Sequence, residues 1–253
     1  MSDLHLGSKG AKAQEATQFL KLNSCEKLIL NGDIIDGWQL KKYGSWKKAH
    51  TGFFRVVLKM MEKEDTRVFY IRGNHDDFLD QVLPLVVGKN FQIRKDMILK
   101  SKDKKFLITH GDIFDSITSH MKWLAYLGDI GYNFLLGLNK FYNKYRVYRG
   151  LPYYSLSQDI KQRVKAAVNF ISDFEIKLAE LARSKGCNGI ICGHIHKPDI
   201  KYFDDILYMN SGDWVESLSA LVEDYNGNWS IIYFHSEKIE EEEKTKLAPK
   251  IAI

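Results

Sequence analysis

Cysteine is scarce in this chain: Cys25, Cys187 and Cys192 are the only 3 among 253 residues. An odd number without framework spacing excludes a disulfide scaffold, and the thiols read as those of a reducing, cytosolic compartment. No charged-then-apolar leader precedes the first polar motif, which argues against export. Long apolar runs are missing too. The best stretch, WLAYLGDIGYNFLLGL at 123–138, is broken by Asp129 and Asn133 and falls short of the ~20 uninterrupted residues that a bilayer-spanning helix needs. There is no internal repeat and no strong excess of one charge. With 37 basic and 32 acidic residues the net charge is +5, too mild to demand a nucleic acid but compatible with a phosphate-bearing substrate or an anionic membrane surface.

What is present is the composition of an ordinary folded protein, 45% hydrophobic and 27% charged, in a length that suits one large domain or two small ones. Four short apolar runs share one grammar: EKLILNGD, TRVFYIRGNHD, KKFLITHGD and CNGIICGHIHKP. Each has about 4–6 residues rich in Leu, Ile, Val and Phe, as in a strand buried on both faces, and each ends in Gly with Asp, Asn or His. Polar groups therefore gather at strand ends. Between the first two runs the spacing of Phe53, Phe54, Val57, Leu58 and Met61 predicts a helix over 46–63, which gives the β-α-β rhythm of a layered α/β fold. A second helical stripe, Val164, Val168, Ile171, Phe174, Leu178 and Leu181, reads as core packing rather than a cofactor box, and Gly186 stops it. Further strands are expected near 206–210, 218–223 and 229–234, the last two joined by a DYNGN turn. The tail over 237–253 carries a charge run without a core pattern and is expected to be solvated and mobile.

Collected in order, the strand-end groups are Asp3-x-His5, Gly32-Asp33, Gly73-Asn74-His75-Asp76, His110-Gly111-Asp112 and Gly193-His194-x-His196. Singly each is weak, because a lone histidine is more often a hydrogen-bonded structural residue. Five of the 8 histidines falling in these blocks is harder to assign to chance. Imidazole, carboxylate and amide oxygen form a ligand set for Mn, Fe or Zn rather than for calcium. Asp36 and Asp112 have two open readings, an outer partner of a ligand or a turn cap, and Cys192 reads as core.

This ordered set resembles the calcineurin-like metallophosphoesterases, over nearly the whole chain. The resemblance implies a four-layer α-β-β-α sandwich with a helical insertion as a cap. It divides the chain into a core over 1–115 and 185–236, an insertion with its return helix over 116–184, and the tail. It further implies a dinuclear hydrolase with two divalent ions, Mn or else Fe or Zn. One ion would be held by Asp3, His5, Asp33 and His196, the other by Asp33, Asn74, His110 and His194, with Asp33 bridging. Two ions about 3.5–4 Å apart suit in-line displacement at phosphorus. His75 would face the scissile phosphate and protonate the leaving oxygen, with Asp76 holding its ring.

The longer words GDIIDGWQL, LPYYSLS and GDWVES are similar to the branch containing UDP-2,3-diacylglucosamine hydrolases, enzymes of lipid A biosynthesis that release UMP and 2,3-diacylglucosamine 1-phosphate. By that resemblance the substrate is a lipid-linked nucleotide, and the protein is cytoplasmic with peripheral contact to the inner face of the cytoplasmic membrane. The aromatic Trp123, Tyr126, Tyr153 and Tyr154 would line an acyl pocket, or form the insertion's own small core. Among Arg146, Arg149, Lys161, Arg163 and Lys165, one or two would meet phosphates, the rest forming a solvated basic face. One position departs: the best-known hydrolases of the branch carry arginine where this chain has His75, the histidine of the wider superfamily. A phosphodiesterase or nuclease on another substrate, and a scaffold without chemistry, are the competing readings. Asp3 and His5 are expected at the end of a strand whose apolar body lies upstream of Ser2.

Overall fold

A computed structural model of the chain describes residues 1–114, 144–150 and 171–235. In chain order these form α1 (Ala13–Leu22), β1 (Lys27–Asn31), α2 (Gly37–Tyr43), α3 (Lys48–Lys63), β2 (Arg67–Ile71), β3 (Leu85–Val87), β4 (Phe91–Arg94), β5 (Asp96–Ser101), β6 (Lys104–Thr109), β7 (Gly189–Cys192), β8 (Asp199–Phe203), β9 (Ile206–Asn210), β10 (Ser219–Glu223) and β11 (Trp229–Tyr233). A helix over 171–184 leads into β7. The four apolar runs are thus β1, β2, β6 and β7, and the expected C-terminal strands are β9, β10 and β11. The tail, and most of the segment expected to form the cap, lie outside the described residues. The chain divides into two compact units, Met1–Asp112 with Leu178–Ile253, and Ile113–Lys177.

The fold is mixed α/β, with sheets flanked by helices. In the first unit one sheet has the order β1-β2-β4-β3 and another β5-β6-β7-β9-β8, while β10 and β11 form a hairpin. The pairs β1-β2, β2-β4, β6-β7 and β7-β9 are parallel, and β3, β5 and β8 add antiparallel edges. The parallel strands point their C-terminal ends the same way within each sheet, which gathers the loops that follow them.

Two apolar layers hold this arrangement. Ile29 and Ile71 of the first sheet pack with Phe106, Ile108, Ile191 and Met209 of the second, so the sheets share an inner core. On the other face of the first sheet, Phe19 and Leu20 of α1 and Phe53, Val57 and Met60 of α3 pack with Leu28, Leu30 and Val68. The stripe of α3 is rotated from its sequence reading: Leu58 is 61% exposed, Met60 rather than Met61 is buried, Phe54 is only partly buried, and His50 takes a buried position one turn before Phe53. Helical rotation explains it, since Leu58 lies on the face opposite Met60 and Phe53.

The first six residues lie outside the named strands, yet they run beside β1 and its continuation. Asn31 N–H donates to Met1 O (2.7 Å), Asp3 N–H to Gly32 O (3.0 Å), His5 N–H to Asp33 O (2.9 Å) and Leu6 N–H to Ile34 O (2.9 Å). This pairing puts Asp3 and His5 next to Asp33.

Candidate metal centre

Five of the seven predicted ligands sit where a strand has just ended. Asp33 follows β1, Asn74 follows β2, His110 follows β6, and His194 and His196 follow β7. Five of the seven adopt left-handed backbone: Asp3 (φ 53°), His5 (φ 49°), Asp33 (φ 52°), His194 (φ 70°) and His196 (φ 54°). An L-residue there costs about 1–2 kcal/mol, and such conformations persist where the surroundings over-determine them, usually at functional sites. Close approach explains the neighbouring glycines. A Cβ on Gly73 would run into the Asp33 carboxylate and backbone N, and one on Gly193 into Asp3 Oδ2 and Ser2 Oγ.

The side chains converge in two lobes around Asp33. Asp3, His5 and His196 offer donor atoms within 4.8 Å of one another, and so do Asp33, His110 and His194; His5, Asp33 and His75 form a third such group between them. His196 Nε2 is 3.2 Å from Asp3 Oδ1, His5 Nε2 is 3.3 Å from His196 Nε2, and His110 Nε2 is 3.3 Å from Asp33 Oδ2. Atoms at this spacing can each lie about 2.0–2.2 Å from one shared cation. Asn74 is buried, and the next residue anchors Asp33, with His75 N–H donating to Asp33 Oδ1 at 2.8 Å.

Two observations test whether a metal suits these residues. Asp3 Oδ1 and His110 Nε2 are buried and make no well-aligned hydrogen bond among the described residues, their near polar neighbours being His196 and Asp33 of the same cluster, although nearly all buried polar atoms have one. The His110 ring is also already set for ligation. Its Nδ1 meets Asn31 O at 2.9 Å, so that with Nδ1–H as the donor the neutral ring would present Nε2 for ligation beside Asp33. Both observations fit a divalent-ion site.

The electrostatics agree. Burial works to raise the carboxyl of Asp3, but His196 and His110 outweigh it and hold the group below the ordinary carboxylate range; Asp33 is held down in the same way by His110, His5 and His75. Conversely, burial works to lower His110 and His196, and the facing carboxylates prevail: His110 is pushed up to about 10, chiefly by Asp33 and Asp3, and His196 to about 9, chiefly by Asp3. This cluster of anions and imidazoles holds positive charge strongly, whether as protons or as a cation.

The carboxylate at the His75 ring is Asp36 and not Asp76. Asp36 Oδ1 is 3.1 Å from His75 Nδ1, and Asp36 Oδ2 is 3.4 Å from His5 Nδ1. The same side chain caps α2 by accepting Gln39 N–H at 2.9 Å, so both readings of Asp36 hold together. Asp76 is buried and otherwise engaged. Its carboxylate accepts Ile34 N–H (3.1 Å), Ile35 N–H (2.8 Å) and Tyr70 O–H (2.9 Å), tying the loop after β2 to the loop after β1. Burial and Asp33 raise its carboxyl to about 7 against those donors. Asp112 pairs with Arg72, whose guanidinium also grips Asp80 through two 2.7 Å bonds. Cys192 is fully buried and donates to Met209 O at 3.6 Å.

Sequence reading missed Trp38, which lies over the His75 ring at a centroid distance of 4.3 Å and an interplanar angle of 33°, with Nε1 donating to Asp77 Oδ2 at 3.3 Å. It also missed the buried amides of Asn31 and Asn210. An exposed aromatic two residues after Asp36 and asparagines at strand ends carry no signal until the strands are placed. Of the expected substrate residues, Arg146 is half-buried and Arg149 exposed, in the short helical segment and turn over 144–150. Trp123, Tyr126, Tyr153, Tyr154, Lys161, Arg163 and Lys165 lie outside the described residues.

The calcineurin-like phosphoesterase family model matches residues 1–198. Among solved structures, the chain is similar to an archaeal phosphodiesterase at 15% identity and TM-score 0.43, covering 92% of this chain and 96% of that one. It is similar to Yfce, a phosphoesterase from E. coli, at 14% identity and TM-score 0.43, covering 92% and 97%. Vps29 from Entamoeba histolytica, as a single mutant, is matched at 11% identity and TM-score 0.45, covering 93% and 97%. No curated protein matches the chain.

Proposed function

This chain belongs to the calcineurin-like phosphoesterase family and is a metal-dependent phosphoesterase, and from that premise we propose that it hydrolyses the pyrophosphate of UDP-2,3-diacylglucosamine or a closely related lipid-linked diphosphate. The observation that carries the hydrolytic part is the pair of donor lobes meeting at Asp33. Asp3, His5, Asp33 and His196 would hold one divalent ion, and Asp33, Asn74, His110 and His194 the other. When bound, such a pair supplies Lewis-acid polarisation of phosphoryl oxygens and lowers the pKa of water. Mn is the proposed metal, Fe and Zn being alternatives with the same donors.

The chain's own residues supply the rest. His75 stands 3.9 Å from Asp33 Oδ2 through Nε2, beside the proposed reaction centre, and delivers a proton to the leaving oxygen. Asp36, 3.1 Å from Nδ1, steadies the ring. Trp38 covers one ring face and limits the water that reaches it. His75 and Asp36 are thereby held in the short connections that follow β2 and β1, a frame on which reacting groups could be oriented.

The substrate part rests on the words GDIIDGWQL, LPYYSLS and GDWVES. In this reading 116–184 is the insertion that receives the acyl chains, with Trp123, Tyr126, Tyr153 and Tyr154 as apolar contacts and one or two of Arg146, Arg149, Lys161, Arg163 and Lys165 on the phosphates. The enzyme would work in the cytoplasm at the inner membrane face. Among the described residues no helix is long and apolar enough to cross a membrane; the proposed contact is peripheral. Incubation of the purified protein with UDP-2,3-diacylglucosamine and Mn(II) is expected to release UMP. Failure to do so at high enzyme concentration, with bis(p-nitrophenyl) phosphate still cleaved, would refute the substrate and leave the reaction class.

A further inference from the structure

The loop Gly193–His196 carries two of the proposed ligands, each in left-handed backbone, and it is held from three sides at Gly193. The Gly193 N–H donates to His110 O at 3.0 Å. Its Cα face abuts Ser2 and Asp3, with no room for a Cβ. Its carbonyl accepts both Ile195 N–H and Asn210 Nδ2–H, each at 2.8 Å.

Asn210, the last residue of β9, is fully buried. Besides its bond to Gly193 O, Nδ2 lies 3.2 Å from Tyr208 Oη, and Oδ1 accepts Gly212 N–H at 2.9 Å. The next residue extends the hold, with Ser211 N–H on Cys192 O at 3.0 Å and Ser211 Oγ 2.7 Å from Ser2 Oγ. Ser2 Oγ in turn donates to Gly212 O at 2.8 Å. Ser2 directly precedes Asp3, and Asp3 Oδ2 accepts His194 N–H at 3.1 Å. The result is a circuit of buried polar bonds, closed along the chain through Ser2–Asp3 and Gly193–His194, that links Asn210, Ser211 and Ser2 to two of the proposed ligands, Asp3 and His194. A buried, fully engaged network is rigid and specifies one arrangement, and left-handed backbone needs such over-determination.

We propose that Asn210 is a positioning residue: with Ser211 and Ser2 it fixes the Gly193–His196 loop against Asp3, so that His194 and His196 are preset for metal. This rests on reading the Asp/His cluster as a two-metal centre. The isosteric substitution Asn210→Asp would keep the oxygen that accepts Gly212 N–H and replace the donor facing Gly193 O by an oxygen, so the loop carbonyl would lose its partner.

The test uses the full-length protein stripped with chelator and reloaded with Co(II), followed by visible absorption, with kcat and KM measured on a chromogenic phosphodiester. Three variants are compared, Asn210→Asp, Ser211→Ala and Ser211→Thr, with Phe53→Leu in α3 as a control for general destabilisation. The expected result is at least a tenfold loss of Co(II) affinity with an altered band shape in Asn210→Asp. Ser211→Ala should show a smaller loss in the same direction, Ser211→Thr recovery because the hydroxyl remains, and the control no change. kcat should fall while KM stays within about twofold. Should Asn210→Asp fail to fold, the serine pair decides. Co(II) affinity and band shape matching wild type in Asn210→Asp and Ser211→Ala overturn the positioning role and leave the metal centre standing. A wild-type protein that takes up no Co(II) overturns both.

Discussion

Two histidines of the centre report on how tightly protons and metal compete. In chelator-treated protein His110 is pushed up to about 10 and His196 to about 9 by Asp33 and Asp3, so both are charged near neutral pH. Ligation needs the neutral ring, and therefore uptake must expel protons. Calorimetric titration of Mn(II) into stripped protein near neutral pH, in buffers of differing ionisation enthalpy, is expected to show release approaching 2 protons per chain, about one from each ring. Apparent affinity should rise with pH and level off above about 10. No buffer dependence would contradict it. The same raised values stabilise the metal-free fold fully below the unfolded value of 6.5, a contribution lost as pH rises through about 9 to 10. At this scale the gathering of Asp, Asn and His side chains at successive strand ends was legible, because each block closes an apolar run. The partner of His75 was not. Asp36 and Asp76 are both near it along the logic of the motifs, and only the placement of β1 beside β2 puts Asp36 at the ring and Asp76 under the loops.

Elements divide into those with a strong apolar pattern and those without. The buried runs of β1, β2, β6 and β7 and the stripe of α3 announce themselves, and α3 over Lys48–Lys63 begins two residues after the expected start and ends where expected. By contrast α2 buries no residue and β3 is exposed at every position, so neither carries a pattern to read. β5 and β8 are antiparallel edges, with mixed composition suited to one wet side. The α3 packing makes a graded prediction. Phe53→Ala empties a fully buried site and is expected to cost about 3–5 kcal/mol, whereas Leu58→Ala, on the exposed face, should stay within about 0.5 kcal/mol. Urea unfolding measures both, and equal costs would mean that the helix face is misassigned.

Over the whole molecule the centre gathers Asp33 and Asn74 from the first sheet and His110, His194 and His196 from the second, with Asp3 and His5 from a segment threaded beside β1. Such a convergence from positions 3 to 196 is invisible to local periodicity and was inferred only because the blocks formed a known series. Asp33 stands between both lobes, so Asp33→Ala is expected to lower bound metal sharply from near 2 ions per chain, the stoichiometry of a two-metal site, by elemental analysis. Unchanged content would refute the bridging assignment. The two sheets share an inner core, yet their strand ends also meet at the Asp/His cluster, and an ion held there as proposed would fasten one sheet to the other. Binding to the folded state alone raises stability with free metal concentration. A cell short of the metal would thus lose enzyme twice over: the molecules that remain would turn over less, and, with the seam between the sheets unfastened, fewer would escape the proteases that clear partly opened chains.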